Sequence, residues 1–508
     1  VGLFAVSLLA GSRLGIEFVP RLEEGDLAVQ VWRLPSISLS ESVATALDIE
    51  RVLRRFLEVT RVVTRTGSPE VATDVMGVEM SDVFVILKPQ RDWVTAQSRN
   101  ELIEAMKRQI IEQVPGVGLG FTQPIEMRFN ELIAGVRSDL AVKIFGPDLD
   151  ILKQQAERAA RALERVPGAA DVKVEQVAGL PLLRVIVDRA EIARYGLTAD
   201  EVLTLIQSAR AGTVVGTVVQ GPRRFELVVR LAERVSRDPG SLGSLLIPTM
   251  HGELVPLSRV TSILVDSGPA QVSREHVQRR IVVETNIRGR DLGGFVAEAQ
   301  RAVAQVVTLP PGYELIWGGQ YEHLQEAGKR LAMVVPVTLM LILGMLSVIF
   351  GTLRPALLIF LNVPLALSGG ILALWLRGLP LSISAIIGFI ALFGIAVLNA
   401  VVLVSHIRQL ETEGCSTQEA VLQGATDRLR PVLMTALVAS LGFLPMALAT
   451  SMGAEVQRPL ATVVIGGLLT STALTLLVIP ALYSRLISQS EAQPVREAVP
   501  GDDTSVRS

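Results

Sequence analysis

The chain has 508 residues, 49% of them hydrophobic, with a mean hydropathy of +0.45, a level that soluble domains alone do not reach. Net charge is −2 with a pI near 6.2, and aromatic residues make up 4%, so neither a basic surface nor stacking platforms argue for nucleic acid. A single cysteine, Cys415, excludes an internal disulfide and any multi-cysteine zinc or iron-sulfur centre, and reads as a small residue in a loop.

The segment Val1–Ala10 (VGLFAVSLLA) is short of the roughly 20 apolar residues that a spanning helix needs. It carries no basic n-region and no small-residue cleavage site, so residues 1–16 read as the C-terminal part of a transmembrane helix rather than a signal peptide. Residues 21–328 hold most of the charge and alternate strand and helix signals. Runs rich in β-branched residues predict strands at Leu27–Trp32, Val83–Leu87, Leu140–Phe145, Leu182–Val187, Phe225–Val229, Ile281–Thr285 and Tyr313–Trp317. Amphipathic periodicity predicts helices at Leu39–Leu57, Gln97–Gln113, Leu149–Arg165, Ala199–Ala209 and Leu292–Val306. Such alternation implies α/β units whose helices cover one face of a sheet. The stretches from Leu27 and from Leu140 begin alike, which reads as a duplication over residues 21–139 and 140–328, with residues 212–268 inserted into the second copy.

From Leu331 the charge nearly disappears. Apolar runs at Leu331–Phe350, Ala356–Leu376, Ile383–Val404, Val432–Ala449 and Leu460–Tyr483 are each long enough, at ~1.5 Å per residue, to cross a ~30 Å hydrocarbon core. Residues 331–484 therefore supply five membrane helices beside the opening one, and residues 485–508 are expected to be a disordered cytoplasmic tail. Arg354, Arg408, Arg428, Arg430 and Arg485 occupy alternate connections, which puts the Arg408–Arg430 loop in the cytoplasm and the ectodomain outside. Gly369, Gly370, Gly388, Gly394, Gly442, Gly466 and Gly467 predict close approach of helices within the bundle.

Several stretches carry a resemblance: Arg13–Asp26 (RLGIEFVPRLEEGD), Asn130–Val142 (NELIAGVRSDLAV), Ala193–Gly196 (ARYG), Phe389–Asn399 (FIALFGIAVLN), and, after Arg428, RLRPVLMTALVASLGFLPMALAT and AEVQRPLATVVIGGLLTS. Together they resemble the C-terminal half of the resistance-nodulation-division efflux transporters, in their heavy-metal cation branch. The resemblance implies a membrane protein with an α-helical transmembrane bundle and an α+β periplasmic ectodomain of ferredoxin-like βαβ porter subdomains and a docking insertion. It further implies a secondary active transporter of the bacterial inner membrane that exports a divalent metal cation against a proton gradient, without a tightly bound cofactor. The partners it implies are a periplasmic adaptor (membrane fusion protein), an outer-membrane channel and two further copies in a homotrimer. The acids that carry protons in that family sit in its fourth helix, outside this chain.

Divalent zinc, cobalt, cadmium and nickel accept imidazole and carboxylate ligands, whereas monovalent copper prefers thioether sulfur. Copper exporters of the family have a methionine about where this chain has Glu131, so a carboxylate there suits a harder ion. Glu126, Asn130 and Glu131 lie between the ectodomain units as candidate metal contacts, with pairing of Glu131 to Arg128 or Arg137 as the competing reading. His251 and Glu253 (MHGE) are candidates at a hairpin tip, against a plain polar turn. Met76, Met80 and Met127 read as packing rather than a soft-metal ladder, and His276 and His323 as surface or packing residues. Asn399 is the clearest polar residue deep in a span. It is expected to bond to a helix outside this chain, with simple helix packing as the other reading; copper-type relatives place a glutamate at the neighbouring Leu398.

Other readings are a transporter of the same fold with another cargo, such as copper or silver, drugs or lipids, and a membrane-anchored binding protein. An enzyme is unsupported: no nucleophile–base pattern or phosphate loop occurs, and Gly293-Gly294 and Gly318-Gly319 are isolated pairs.

Overall fold

The computed structural model describes residues 2–20, 22–68, 76–232, 239–451 and 453–487; the tail expected after Arg485 lies, from residue 488 on, outside the described residues. An apolar helix α1 (Gly2–Gly11) leads into the first α/β unit. There β1 (Leu27–Trp32), α2 (Leu39–Leu53), β2 (Val59–Thr66), β3 (Met80–Leu87), α3 (Arg99–Gln113) and β4 (Gly118–Thr122) build an antiparallel sheet in the order β2-β3-β1-β4. Alternation along β1 sends Leu27, Val29 and Val31 into one core with Ile49 and Leu53 of α2 and Leu102, Met106 and Ile110 of α3. Ser38 and Ser98 cap the two helices through the backbone N–H groups of Glu41 and Glu101.

Helix α4 (Pro124–Ala134) then crosses to the second unit. That unit opens with β5 (Leu140–Phe145), α5 (Leu149–Leu163) and β6 (Ala169–Val174). An excursion follows, made of β7 (Leu180–Val187), α6 (Arg189–Arg194), α7 (Ala199–Arg210), β8 (Thr213–Gln220), β9 (Arg223–Val229), α8 (Pro239–Gly243), β10 (Leu246–Pro248), β11 (Leu254–Pro256), α9 (Leu257–Val260), β12 (Thr261–Gly268) and β13 (Arg274–Glu275). The chain returns through β14 (Gln278–Ile287), α10 (Leu292–Val306) and β15 (Glu314–Gly319), giving the path β6-β14-β5-β15, the same order as in the first unit. The excursion starts ahead of the Gly212 expected for the insertion, because β7 pairs antiparallel with β12 along its whole length, Leu180 opposite Gly268.

The edge strands β4 and β6 of the two units abut. Asp171 of β6 closes this junction: its carboxylate, with the side chain 1% exposed, accepts from Lys107 Nζ (2.9 Å), Arg288 Nη2 (2.5 Å) and the Phe121 backbone N–H (3.0 Å). An edge-strand N–H is thereby satisfied by a side chain instead of a ladder partner.

The rest of the described chain is α11 (Gln320–Phe350), α12 (Leu353–Phe360), α13 (Asn362–Leu376), α14 (Ile383–Thr412), α15 (Thr417–Leu448) and α16 (Ala454–Ile487). With α12 and α13 joined, five helices among the described residues are long and apolar enough to cross a membrane. They outrun the apolar runs, α11 starting at Gln320 rather than Leu331, because helical hydrogen bonding continues through polar residues while hydropathy marks only the segment suited to lipid. A Cβ on Gly466 would stand 2.3 Å from Ala373 Cβ and 2.9 Å from the Gly369 carbonyl oxygen, so α13 and α16 touch backbone to backbone. Gly394 and Gly442, expected to serve the same end, meet nothing within 4 Å. The segment after α1 is stitched to the bundle: the Leu381 N–H donates to Gly15 O (2.8 Å), and the Glu17 N–H donates to Leu381 O (3.1 Å).

Candidate functional site

Helix α4 was legible in sequence only as a short connecting segment, yet its ends are well specified. Pro124 at the first turn has no N–H to satisfy, and Glu24 takes the next two donors, accepting from Ile125 N–H at 2.6 Å and Glu126 N–H at 2.7 Å. Gly135, at φ 66°, closes the other end with its N–H on the Glu131 carbonyl.

Glu131 projects from this helix into a chain of alternating charge. Its carboxylate pairs with Arg128 (2.6 Å) and Arg137 (3.4 Å); Arg137 also reaches Asp82 (3.1 Å), which in turn holds Arg65 (2.6 Å). The pairing expected of Glu131 is therefore present with both arginines. Met76 is buried beside this chain, its sulfur 3.6 Å from Arg137 Nη1, and Met127 is buried in α4, so both pack. Asp82 and Arg65 were not singled out in the sequence. The signal was an acid in mid-strand (MSDVFVIL), where a charge must find a partner.

Glu131 and Arg137 also line a cavity of about 200 Å³ between the two units, with Trp32, Glu79 and Met80 on one wall and Lys173, Glu175, Arg280 and Glu284 on the other. Burial pushes the Glu175 carboxyl above its ordinary value, against the opposing pull of the Ser273 hydroxyl, the Arg280 guanidinium and the Val282 N–H. Lys173 lies 5.0 Å from the Trp32 ring centre. Cations and carboxylates are thus interleaved around the cavity, and Glu131 is the lining carboxylate held by two guanidiniums.

The other candidates do not converge on that cavity. Glu126 accepts from Gln123 Nε2 (3.0 Å) and borders a separate cavity of about 50 Å³ beside Asp139 and Arg288. Asn130 is buried, its Oδ1 accepting from Gln320 Nε2 at 3.1 Å. His251 and Glu253 are exposed at the turn between β10 and β11, where the Thr249 N–H donates to Glu253 O, the geometry of a plain hairpin turn. Among the described residues no three His, Cys, Asp or Glu side chains form a group that could hold a metal ion.

In the bundle, Asn399 is buried and its Oδ1 accepts from Thr435 Oγ1 of α15 at 3.2 Å, a helix-to-helix bond within the chain. The more deeply placed polar residue is Asn362, which was missed. Its amide donates to Ala396 O (2.9 Å) and Thr475 Oγ1 (2.8 Å), tying α13 to α14 and α16. Asn362 lies inside the apolar run Ala356–Leu376, where a polar side chain needs a partner within the bundle.

Comparison with known proteins follows the same outline. The AcrB/AcrD/AcrF family model matches residues 1–487. The cobalt-zinc-cadmium resistance protein CzcA of Cupriavidus metallidurans is 50% identical over 496 residues, 96% of this chain and 47% of that protein. The cation efflux system protein CusA of Escherichia coli is 34% identical over 486 residues, 93% of this chain and 46% of that protein. A crystal structure of a heavy metal efflux pump superposes with a TM-score of 0.86 at 39% identity, covering 96% of this chain and 49% of that one. The chain spans about half the length of the curated relatives it matches. Matched along nearly all its described length, it belongs to the AcrB/AcrD/AcrF family, the resistance-nodulation-division efflux transporters, in their heavy-metal branch.

Proposed function

We propose that this chain is the C-terminal half of a proton-driven permease that exports divalent heavy-metal cations, zinc, cobalt, cadmium or nickel. The full-length protein works in the bacterial inner membrane as a homotrimer, with a periplasmic adaptor and an outer-membrane channel. The two α/β units are its porter subdomains, the excursion between β6 and β14 its docking insertion, and the ectodomain faces the periplasm while the Arg408–Arg430 connection faces the cytoplasm. Half-identity to a cobalt-zinc-cadmium resistance protein supports the cargo.

The observation that carries the site is Glu131, a carboxylate on the wall of the inter-unit cavity that is already held by two guanidiniums. Export needs a site that binds and then releases. A divalent ion outcompetes Arg128 and Arg137 for Glu131 when the cleft is open to it, and the same arginines take the carboxylate back as it leaves. Glu126, Asn130, His251 and Glu253 are weaker candidates, since each already has a local role or stands apart. Asn399 braces α14 against α15.

Vesicles containing the full-length parent test this reading. Zinc or cobalt movement that stops when the proton gradient is collapsed supports it; movement of monovalent copper alone moves the cargo to the soft-metal class, and movement of no metal ends it. In the same parent, Glu131→Ala is expected to lower divalent-metal resistance at unchanged protein level, and unchanged resistance removes Glu131 from the site.

A further inference from the structure

Within this chain, helix α4, which carries Glu131, is weakly packed for an element at the junction of two units. Of its described side chains only Met127 and Asn130 are buried, while Ile125, Phe129, Leu132 and Ile133 expose apolar surface, Leu132 to 81%. Against the rest of this chain, a helix with so little core burial is held by polar tethers more than by packing. One tether is Glu24 at its N-terminus. Two others come from the first turn of α11, the helix that continues into the apolar bundle. Gln320 Nε2 donates to Asn130 Oδ1 (3.1 Å) and to Asp139 Oδ1 (3.3 Å), and its own N–H donates to Asp139 O (3.0 Å). One turn on, His323 Nε2 lies 3.0 Å from the Ile133 carbonyl oxygen. That oxygen can only accept, so Nε2 carries the proton, and the Phe18 ring, 5.7 Å away between centroids, packs against the imidazole. Asn130 and Ile133 flank Glu131 in sequence, so the two tethers grip α4 on either side of it.

We propose that Gln320 and His323 are positioning residues that fix the setting of Glu131, so that a displacement of α11 along its axis is delivered to the cleft carboxylate through α4. The α11 helix runs from Gln320 to Phe350, with Pro336 inside it, and so joins the tethers at the α/β units to the far end of the bundle. At that far end Arg408 Nη1 of α14 donates to the Phe350 carbonyl at 2.7 Å, so a shift of α14 reaches α11 directly. The proposal rests on Glu131 being a cation contact, as argued above, but the tether itself is independent of cargo.

The test uses the full-length parent with Cys415 and any further native cysteines replaced by Ser, spin-labelled at cysteines replacing Leu132 on α4 and Val94 in the first unit, both largely exposed. Gln320→Leu and His323→Ala are expected to shift or broaden the distance distribution between the labels. His323→Gln, which restores an N–H donor, and Gln325→Ala, whose residue bonds Tyr321 on its own helix, are expected to leave it unchanged. With zinc alone as the transported probe, Gln320→Leu is expected to raise the half-saturating concentration about fivefold, the size of its lost hydrogen bond to Asn130 of α4, and to add nothing in a Glu131→Ala background. An unaltered distribution in both tether variants overturns the proposal. So does a Gln320→Leu effect on zinc that persists at full size without Glu131. A shifted distribution with zinc transport indifferent to Glu131→Ala upholds the tether and overturns the cation reading of Glu131.

Discussion

Single residues in the two α/β units are set by whether a buried charge finds enough donors. Glu58 is buried and accepts from Val94 N–H (2.9 Å), Thr95 N–H (2.5 Å) and the Thr95 hydroxyl (3.0 Å). Burial alone pushes its carboxyl up, but these bonds outweigh it and leave the group below its ordinary value. Glu175 stands on the other side of the same balance, with burial prevailing. The two therefore have opposite pH signatures. Stability contributed by Glu58 is present above the ordinary carboxylate pKa and is lost as pH falls through its lowered value. The contribution of Glu175 is present below the ordinary value and is lost as pH rises through its raised one. Glu58→Gln is expected to destabilise the first unit by about 1–3 kcal/mol, read from thermal melts at neutral pH, and to flatten acid loss of amide protection around Val94 and Thr95. Glu175→Gln is expected to abolish the decline in protection around Val282 as pH is raised.

Elements are decided by backbone geometry and by how closely chains approach. The turn from β13 to β14 places His276 at φ 49° and Val277 at φ 69°, a left-handed pair in which a β-branched residue costs about 1–2 kcal/mol. Val277 is 92% exposed, so nothing packs to offset that strain. Val277→Gly should raise stability by about 1 kcal/mol, seen as a higher melting temperature with transport unchanged. In the bundle the same small side chain is needed for a different reason. Gly466→Leu puts a side chain into Ala373 and the Gly369 backbone and is expected to part α13 from α16, lowering the detergent melting temperature sharply. Gly394→Leu, facing open space, is expected to change it little in this chain.

For the whole molecule, the telling contact is the junction of the two sheets. Asp171 is held by two cations and a backbone N–H drawn from both units, with Asn286 Nδ2 alongside at 3.4 Å. Removing one member of such a buried group leaves the others uncompensated. Asp171→Ala is expected to cost about 3–5 kcal/mol and to split one calorimetric transition of the two α/β units into two, as they melt separately. A single unshifted transition would show that the Trp32 packing on β4 and β6 holds the junction by itself.

Sequence alone determined whatever depends on local periodicity and on solvent. β1, β5 and α10 were read with their observed bounds, since alternation or helical spacing and a flanking cap or turn sufficed there. The five apolar spans were read for the same reason: lipid tolerates only long uncharged runs. The edge strands β4 and β6 escaped notice, because Gly118 and Gly120 leave β4 little β-forming character and β6 is only half-buried. Helix α4 escaped because its exposed Ile125, Phe129 and Leu132 blur the amphipathic pattern. Glu131 and its arginines were legible as neighbours in the chain. Its link to Asp82, and the hold of Gln320 and His323 on α4, join residues from 55 to 190 positions apart, and only the tertiary fold brings such groups within hydrogen-bonding distance.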